Sequence, residues 1–454
     1  MCAAARHSER APADDESVAV IGAGWAGCAA AMELAAAGCR VTLYEASRTP
    51  GGRARAVAFD GRHLDNGQHI LLGAYRATLR LLRMAGVDTE TALLRLPLQL
   101  RYPRGSGGMD FRAPRLPAPW HITVALLRAG GLDAADRMAL ARFSSTARWM
   151  GWQLHVDCTV AELLQRFDQT ARLVRLMWRP LCIAALNTPP ERASAQVFLN
   201  VLRDSLGARR SASDMLLPRI DLGTLFPTRA MDFVARHGGS VRLGTRIAAI
   251  LPTEGKWLLR VADAGDTACH DALVVATHAT QASALLRDLD GIPPPVFDHE
   301  PITTCYLQYA AGLRLDAPFF VLPDDPATQA WGQFVFDRGH LDPAQAGLLA
   351  VVVSASSEAI AGGNDALAAA IVAQLAATLR MPQLAEPRWT KVISEKRATF
   401  ACTPGLQRPA NATSFPNLVL AGDYTVSDYP ATLESAVRSG VNAAQLLIGR
   451  EESN

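Results

Sequence analysis

Three glycines near the start of the chain, Gly22, Gly24 and Gly27, have the G-x-G-x-x-G spacing that brings a backbone turn against a pyrophosphate. The first glycine permits a tight turn, the second lets the backbone approach the phosphates, and the third lets a helix pack closely on a strand. The apolar, β-branched run at 18–21 predicts a buried parallel strand before the turn. The alanine-rich segment 25–37 predicts a helix whose first N–H groups face the phosphates. A dinucleotide site is therefore predicted here.

An acidic residue follows at the distance that a ribose contact requires. Residues 40–44 predict a second strand, and Glu45 ends it about twenty positions after the glycines, where its carboxylate can accept hydrogen bonds from ribose hydroxyls. This motif alone leaves both NAD and FAD open. Gly51 and Gly52 then allow close backbone approach, and Arg53 supplies a guanidinium suited to phosphate, which together favour FAD.

A second motif near the other end of the chain predicts the remainder of the cofactor site. Residues 417–421 read as an apolar strand that ends in Gly422 and Asp423. Gly422 allows close approach, and Asp423 can bond the ribityl chain or a group beside the pyrophosphate. The segment 433–447 predicts a helix after Thr432, and its N-terminus can stabilise negative charge on a reduced flavin. We expect FAD to be held by both ends of the chain.

Composition narrows the function classes further. The 454 residues are enough for two or three domains, and 45 basic against 43 acidic residues give no nucleic-acid footprint. Eight cysteines occur without C-x-x-C or any metal spacing, and Cys28 and Cys39 are expected to be buried thiols, which suits a reducing cytoplasm. The polar first residues do not resemble a signal peptide, and no run reaches the roughly eighteen apolar residues of a membrane span.

The distribution of predicted elements gives an α/β fold in which the cofactor domain is discontinuous. With Gly51-Gly52-Arg53 the chain resembles the glutathione-reductase-like FAD domain of the amine oxidase type, which implies a Rossmann-like FAD-binding domain with an inserted α+β substrate domain. The predicted pieces are a disordered tail at 1–16, cofactor-domain pieces at 17–75, 221–289 and 395–449, a mostly helical substrate part at 76–220, and a substrate sheet at 290–394.

The segment 64–73, which contains Asn66-Gly67-Gln68-His69 and is followed by Tyr75, resembles the hydroxysqualene dehydroxylases, also called squalene-associated FAD-dependent desaturases. Residues 111–121, 178–188 and 422–436 resemble the same family, and Gly51-Gly52-Arg53 is typical of its amine oxidase and phytoene desaturase superfamily. The resemblance covers nearly the whole chain after Ser17.

This resemblance implies a reaction in squalene and hopanoid biosynthesis. Hydroxysqualene loses its hydroxyl group as water and gains a hydride, while reduced flavin becomes FAD. A general acid must protonate the hydroxyl group, and His69 is the first candidate, with Asp65, Tyr429 and His121 as weaker ones. The resemblance also places the backbone of Ile247 against adenine. The predicted cofactor contacts are Gly22, Ala23, Gly24, Trp25, Ala26, Gly27, Glu45, Ala46, Gly52, Arg53, Gln68, His69, Ile247, Gly422, Asp423, Thr432 and Leu433.

Three other functions are also compatible with these motifs. A phytoene-type desaturase uses the same fold but moves hydride from a polyprene to FAD. An amine oxidase usually keeps a lysine beside the flavin on a substrate-domain strand, and the equivalent stretch 301–307 contains none. A flavin-bound scaffold for neighbouring squalene-synthesis enzymes is the non-enzymatic alternative. The source of electrons is open between a separate NAD(P)H site and a flavin reductase partner.

A polyprenyl substrate resides in membranes, so we expect a cytoplasmic protein with a peripheral contact on the inner face of the membrane. The segment 116–127 is the candidate contact, and the alternative is that it forms core and tunnel lining. Its apolar residues are Trp120, Ile122, Val124, Leu126 and Leu127, and the nearby cations are Arg112, Arg115 and Arg128.

Overall fold

A computed structural model describes residues 16–205, 209–262, 266–289, 291–292 and 295–449, so the predicted tail at 1–15 lies outside the described residues. The strands are β1 Ser17–Ile21, β2 Arg40–Tyr44, β3 Ala56–Phe59, β4 Arg62–Asp65, β5 Leu71–Leu72, β6 Leu93–Leu96, β7 Gln99–Arg101, β8 Asp110–Arg112, β9 Met215–Pro218, β10 Ser240–Arg242, β11 Ile247–Thr253, β12 Lys256–Val261, β13 Thr267–His270, β14 Ala272–Val275, β15 His299–Gln308, β16 Phe319–Val321, β17 Phe334–Asp337, β18 Leu348–Ser354, β19 Trp389–Phe400 and β20 Leu418–Leu420. The helices are α1 Trp25–Ala36, α2 Arg76–Met84, α3 Thr89–Ala92, α4 Trp120–Arg128, α5 Ala134–Trp149, α6 Val160–Arg166, α7 Ala171–Leu173, α8 Arg179–Leu186, α9 Ala195–Ser205, α10 Leu222–Leu225, α11 Pro227–Arg236, α12 Ala279–Leu286, α13 Asn364–Leu379 and α14 Leu433–Ile448.

One sheet assembles the segments that are most distant in the sequence. It is parallel and has the strand order β10-β2-β1-β14-β20. Its central strand β1 is buried along its whole length, as a parallel strand covered on both faces must be. Residues near position 20 and residues near position 420 therefore lie in one layer, with β14 between them.

Helices α1 and α14 cross closely on this sheet. A Cβ at Gly440 of α14 would lie 2.1 Å from the carbonyl oxygen of Ala26 in α1, so a larger residue at this position cannot be accommodated without movement. The approach fixes the start of the carboxy-terminal helix relative to the glycine turn. Both predicted cofactor motifs are thereby joined by direct packing.

A second, antiparallel sheet with the order β16-β17-β18-β15-β19 provides the other half of the molecule. Alternate residues of a strand point to opposite faces. Cys305 and Leu307 of β15 pack toward α13 with Ile371, whereas Tyr306 belongs to the core on the opposite face together with Phe336. The face that carries Tyr306 is the face against which the cofactor-side hairpin β3–β4 lies.

Several helices and strands of the structure differ from those predicted from the sequence. Within the predicted cofactor-domain piece 221–289, the chain turns between β10 and β11 at Gly244, which has a φ of +65°. The sixteen-residue helix α13 lies within a region expected to be dominated by strands. Strand β19 runs across the boundary drawn at 394 and continues to Phe400. Within the substrate part expected to be mostly helical, β7 and β8 form an antiparallel hairpin.

The burial of Cys28 and Cys39 agrees with the expectation for these two thiols. Cys28 and Cys39 are buried, and the cysteines within the described ranges are all free thiols. None of the helices that the structure describes is both long and apolar enough to cross a bilayer.

Candidate active site

The glycine turn between β1 and α1 is fixed by close backbone contacts. Gly22 has a φ of +108°, and a Cβ there would lie 2.7 Å from the carbonyl oxygen of Ala276. A Cβ at Gly27 would lie 1.8 Å from the carbonyl oxygen of Gly22. Glycine is required at both positions, because the turn and the start of the helix are pressed against each other and against the segment that follows β14.

Gly24, unlike Gly22 and Gly27, is not crowded by neighbouring atoms. A Cβ built on Gly24 meets no atom within 4 Å, and no side chain caps the start of α1. The first N–H groups of this helix, which come from Trp25, Ala26 and Gly27, therefore face a space that the protein does not fill. Donors and partial positive charge at an uncapped helix N-terminus suit a phosphate group.

Glu45 stands at the end of β2 beside this space. Its carboxylate accepts hydrogen bonds from the N–H groups of Ala23 and Ser47, both at 2.8 Å. Two backbone donors orient the carboxylate and leave further lone pairs for ribose hydroxyls. The N–H of Thr245 donates to the carbonyl oxygen of Glu45 at 2.8 Å, which brings the start of β11 at Ile247 to the same end of the sheet. Ala46, beside Glu45, is exposed.

The second glycine pair lies against the turn. The N–H of Gly51 donates to the carbonyl oxygen of Ala23 at 2.8 Å, and a Cβ at Gly52 would lie 3.4 Å from the Cα of Gly24. Arg53, the next residue, donates from Nη2 to Asp423 at 2.7 Å and from Nη1 to the carbonyl oxygen of Ala398 at 2.6 Å. In this arrangement the Arg53 guanidinium connects the amino-terminal and carboxy-terminal motifs, a role that the sequence-based assignment to phosphate did not anticipate.

The carboxy-terminal motif is held by α14. The N–H of Gly422 donates to Ser439 Oγ at 2.9 Å, and Thr432 caps the helix by accepting from the N–H of Ser435 at 3.1 Å. Leu433 is the first residue of the helix. These contacts place Asp423 and the start of α14 on the side of the turn opposite Glu45. The open space at Gly24, the oriented carboxylate and the two helix N-termini fit FAD.

A polar cluster lies where the hairpin β3–β4 meets the antiparallel sheet, and we name it the junction cluster. Arg338 Nη1 donates to Gln68 Oε1 at 3.0 Å, Gln68 Nε2 donates to Tyr306 Oη at 2.8 Å, and Tyr306 Oη donates to the carbonyl oxygen of Asp65 at 2.7 Å. A narrow pocket at this junction, too small in this structure to hold a water molecule, is lined by Asp65, Gln68, His69, Leu217, Pro218, Leu222, Phe336, Arg338 and Leu341. The structure thus brings three predicted site residues, Asp65, Gln68 and His69, to one place.

Asp65 is the carboxyl group of this pocket. It is only 6% exposed, and its Oδ1 accepts from the N–H of Leu222 at 2.9 Å. Among the described residues no donor bonds its Oδ2. Burial raises the pKa of Asp65 to about 6, against the opposing influence of the Arg338 charge and the bond from Leu222. A carboxyl group with these surroundings can hold a proton near neutral pH and also release it.

His69 has surroundings that favour the neutral ring. Burial lowers the pKa of His69, and the charge of Arg53 acts in the same direction. Its Nδ1 lies 2.9 Å from the carbonyl oxygen of Gly67, so this nitrogen carries the hydrogen and donates it. In the neutral ring the other nitrogen, Nε2, is then an acceptor. The geometry therefore does not favour His69 as a proton donor.

Tyr429 belongs to a different cluster. Its hydroxyl group donates to Asp204 at the end of α9, and the guanidinium of Arg438 lies 5.0 Å from the centre of its ring. Burial raises the pKa of Tyr429, and the Asp204 carboxylate raises it further. Tyr429 is not among the residues that line the junction pocket with Asp65 and His69.

Tyr306 and Arg338 were not identified from the sequence. Tyr306 occupies the middle of an otherwise unremarkable strand, and Arg338 follows β17 in the run Phe336-Asp337-Arg338. The sequence signal that could have identified Arg338 is a charged residue directly after a buried strand, in the region expected to form the substrate sheet. Lys391 is paired with Tyr306 across the sheet, and its Nζ lies 4.9 Å from the centre of the Phe59 ring.

Comparisons with known proteins agree with this geometry. A family model described as flavin containing amine oxidoreductase matches residues 25–448. A hydroxysqualene dehydroxylase from Rhodopseudomonas palustris is 29% identical over 452 residues, which cover 95% of this chain and 98% of that protein. A zeta-carotene desaturase from Synechocystis sp. is 25% identical over 488 residues, which cover 96% of this chain and 97% of that protein. The predicted resemblance to the hydroxysqualene dehydroxylases is confirmed.

A solved structure shares the architecture. Cyclohexylamine oxidase from Brevibacterium oxydans superposes with a TM-score of 0.66 at 18% identity, with coverage of 96% of this chain and 100% of that chain. At this identity the similarity establishes the fold alone. The predicted fold class, an amine oxidase-type FAD-binding domain combined with antiparallel sheets, is confirmed.

Proposed function

The chain belongs to the flavin-containing amine oxidoreductase family, and on that premise we propose that it catalyses the reductive dehydroxylation of hydroxysqualene to squalene. Membership makes the protein a flavin-dependent oxidoreductase with FAD as its cofactor. The finer assignment is supported by relatives named hydroxysqualene dehydroxylase and by the chemistry of the junction cluster. Its balance is hydroxysqualene plus a hydride and a proton, giving squalene and water.

We assign the cofactor contacts as follows. The glycine turn and the start of α1 hold the pyrophosphate, and Glu45 holds a ribose. Arg53 and Asp423 fix the turn to the carboxy-terminal motif beside the ribityl chain. When bound and reduced, FAD would supply the hydride that replaces the hydroxyl group. The residues proposed to contact FAD are Gly22, Ala23, Gly24, Trp25, Ala26, Gly27, Glu45, Ala46, Gly52, Arg53, Ile247, Gly422, Asp423, Thr432 and Leu433, together with Gln68 and His69, which line the junction pocket.

Asp65 is the group that we assign as the general acid, in preference to His69. A hydroxide ion is a poor leaving group, so the substrate oxygen must receive a proton as its bond to carbon breaks. Asp65 Oδ2 can carry that proton because Oδ1 is already occupied by the N–H of Leu222. The single observation that carries the proposal is this buried carboxyl group, whose Oδ2 accepts no bond among the described residues, beside Leu217 and Phe336.

The remaining groups of the pocket have supporting roles. The positive charge of Arg338 stabilises the carboxylate that remains once Asp65 has donated its proton. Gln68 and Tyr306 fix Arg338 relative to the Asp65 backbone through the chain of three hydrogen bonds. The apolar side chains of Leu217, Phe336 and their neighbours exclude water, which would otherwise capture a substrate carbocation.

The assignment predicts different consequences for two substitutions in one pocket. Asp65→Asn keeps the shape and an acceptor for the N–H of Leu222 but removes the acid, so squalene formation should fall by about 10²–10⁴-fold. His69→Gln keeps a polar side chain and should lower turnover by less than about tenfold. Product would be quantified by mass spectrometry with reduced protein, and flavin absorbance would show that each variant retains FAD. A large loss in His69→Gln with a small loss in Asp65→Asn would reverse the assignment.

An oxidative desaturase is the second candidate, because zeta-carotene desaturases also match almost the full chain. That reaction withdraws hydride from a polyprene and has no hydroxyl group to protonate. Asp65→Asn should then have little effect on hydride transfer, and oxidised FAD should be bleached by a polyprene that carries no hydroxyl group.

A further inference from the structure

Thr304 of β15 carries a buried hydroxyl group that the chain itself does not bond. The residue is fully buried, and its Oγ1 has no hydrogen-bond partner among the described residues. The residues beside it on the two neighbouring strands are Val352 and Ile393, whose side chains have no polar atoms. Buried hydroxyl groups are nearly always hydrogen bonded, so a partner that is not part of the chain is expected here.

The preceding residue, Thr303, shows a hydroxyl group that serves the fold alone. Its Oγ1 lies 2.9 Å from both Ser356 Oγ and Ser394 Oγ. Because alternate residues of a strand point to opposite faces, Thr304 shares instead the face of Tyr306. This is the face against which the hairpin β3–β4 lies. The hydroxyl group without a partner is therefore directed toward the cofactor half of the molecule.

Gly67 lies close to Thr304, and the fold does not require a glycine there. A Cβ on Gly67 would lie 4.0 Å from Thr304 Oγ1 and 3.8 Å from His69 Cε1, which are ordinary contacts. Gly67 is also not among the glycines with a positive φ. As at Gly24, the chain's own packing does not explain the missing side chain. A glycine of this kind lets a ligand approach the backbone closely.

This segment connects the two parts of the proposed site. On one side of Gly67, the Nδ2 of Asn66 donates to the carbonyl oxygen of Arg53 at 3.1 Å, and the Arg53 guanidinium binds Asp423. On the other side, the two residues that follow Gly67 line the junction pocket. A flavin ring that extends from the ribityl chain toward this pocket therefore passes the hydroxyl group of Thr304.

Two other buried hydroxyl groups share the state of Thr304. Among the described residues, the buried hydroxyl groups without a partner belong to Thr277, Thr304 and Tyr424. The backbone nitrogen of Thr277 lies 3.2 Å from the place of a Cβ on Gly22, and the ring of Tyr424 lies 2.4 Å from that of a Cβ on Gly422. All three hydroxyl groups thus belong to residues beside glycines of the predicted cofactor segments. This distribution is the one expected if the cofactor completes their hydrogen bonds.

We propose that Thr304 is a further residue of the cofactor site, and that its hydroxyl group hydrogen bonds to the polar edge of the flavin ring. A hydroxyl group both donates and accepts. It can therefore bond a ring nitrogen or carbonyl oxygen of oxidised FAD, and also an N–H that the ring gains on reduction. The inference rests on FAD as the cofactor and does not depend on the identity of the substrate.

Two substitutions of Thr304 in the FAD-loaded protein test the proposal. Thr304→Val keeps the shape of the side chain but removes the hydroxyl group, so the FAD dissociation constant should rise about three- to tenfold. The visible absorption bands of the bound flavin should also shift, because they respond to hydrogen bonds at the ring. Thr304→Ser keeps the hydroxyl group and should stay within about twofold of the parent. Flavin fluorescence on dilution of the loaded protein measures the dissociation constant.

Thr303→Val is the matched control, because it removes the neighbouring hydroxyl group from the other face of the same strand. It leaves Ser356 and Ser394 without this partner, so the melting temperature should fall while the flavin bands match those of the parent. An unchanged dissociation constant and unchanged bands in Thr304→Val would overturn the proposal. The same band shift in Thr303→Val would overturn it as well, since the shift would then arise from the strand as a whole.

Gly67→Ala provides an independent measurement if Thr304→Val does not fold. Its Cβ makes only ordinary contacts with the chain but enters the space assigned to the ring, so the FAD dissociation constant should rise about fivefold or more. A dissociation constant equal to that of the parent would show that the ring does not lie beside Thr304. Neither readout requires turnover, so failure of the proposed dehydroxylation would revise the substrate and leave Thr304 in the cofactor site.

Discussion

The protonation of Asp65 should govern both stability and reaction rate between about pH 4 and pH 7. Its pKa rises from 3.8 to about 6 on folding, so the folded state holds this proton more tightly by about 3 kcal/mol, at 1.36 kcal/mol for each unit. For an acid whose pKa is raised, the stability is greatest below the unfolded pKa. It is lost as pH rises through the folded pKa, because the folded state must then bury the carboxylate.

Asp65→Asn removes this dependence because the amide does not titrate. We would compare urea unfolding of the parent and Asp65→Asn at equal FAD concentration from about pH 4 to about pH 7.5. The difference in unfolding free energy should change by up to about 3 kcal/mol in favour of the variant as pH rises through that range. A difference that stays constant across the range would refute the claim that Asp65 is held protonated by burial.

The same titration should appear in catalysis. For a general acid, kcat/KM with hydroxysqualene should be level below about pH 6 and fall about tenfold for each further pH unit. A rate that rises through this range would show that the ionised carboxylate is the active form, and Asp65 would then act as a base.

Three further predictions concern the cofactor turn and the junction cluster. Gly24→Ala should leave the protein folded but raise the FAD dissociation constant, since its Cβ enters only the space assigned to phosphate. Gly27→Ala should lower the yield of folded protein, because its Cβ would lie 1.8 Å from the carbonyl oxygen of Gly22. Equal melting temperatures of the two apoproteins would contradict this difference between the variants. Arg53→Met should weaken FAD binding and lower unfolding free energy by about 1–3 kcal/mol because it leaves Asp423 without its charge partner; urea titration with flavin fluorescence would measure both. Tyr306→Phe should lower the unfolding free energy by about 1–3 kcal/mol, because the carbonyl oxygen of Asp65 then lacks its hydrogen-bond donor. An unfolding free energy equal to that of the parent would show that this hydrogen bond does not stabilise the protein.

Local patterns allowed much of the cofactor site to be predicted. The glycine turn, Glu45 and the strand before Gly422 each depend on a few neighbouring residues, so the sequence contains the information that fixes them. Their assembly also follows from chain order, because parallel strands with helical connections form one layer. The fold class could be predicted correctly because its motifs depend on residues that are neighbours in the sequence.

The junction cluster could not be predicted in the same way. Gln68 contacts Tyr306 across 238 positions and Arg338 across 270, and these contacts depend on how the antiparallel sheet is aligned against the hairpin β3–β4. A shift of β15 by one residue would turn Tyr306 to the face covered by α13. The preference for Asp65 over His69 likewise depends on burial and tautomer, which residue type alone does not reveal.

The most direct test of the central claim is a single turnover without oxygen. The FAD-loaded protein would be reduced, mixed with hydroxysqualene, and followed by flavin absorbance together with product mass. Reoxidation of the flavin with one squalene formed per FAD is the predicted result. Flavin that stays reduced with hydroxysqualene, while oxidised protein is bleached by squalene or another polyprene, would contradict the account and reverse the direction of hydride transfer.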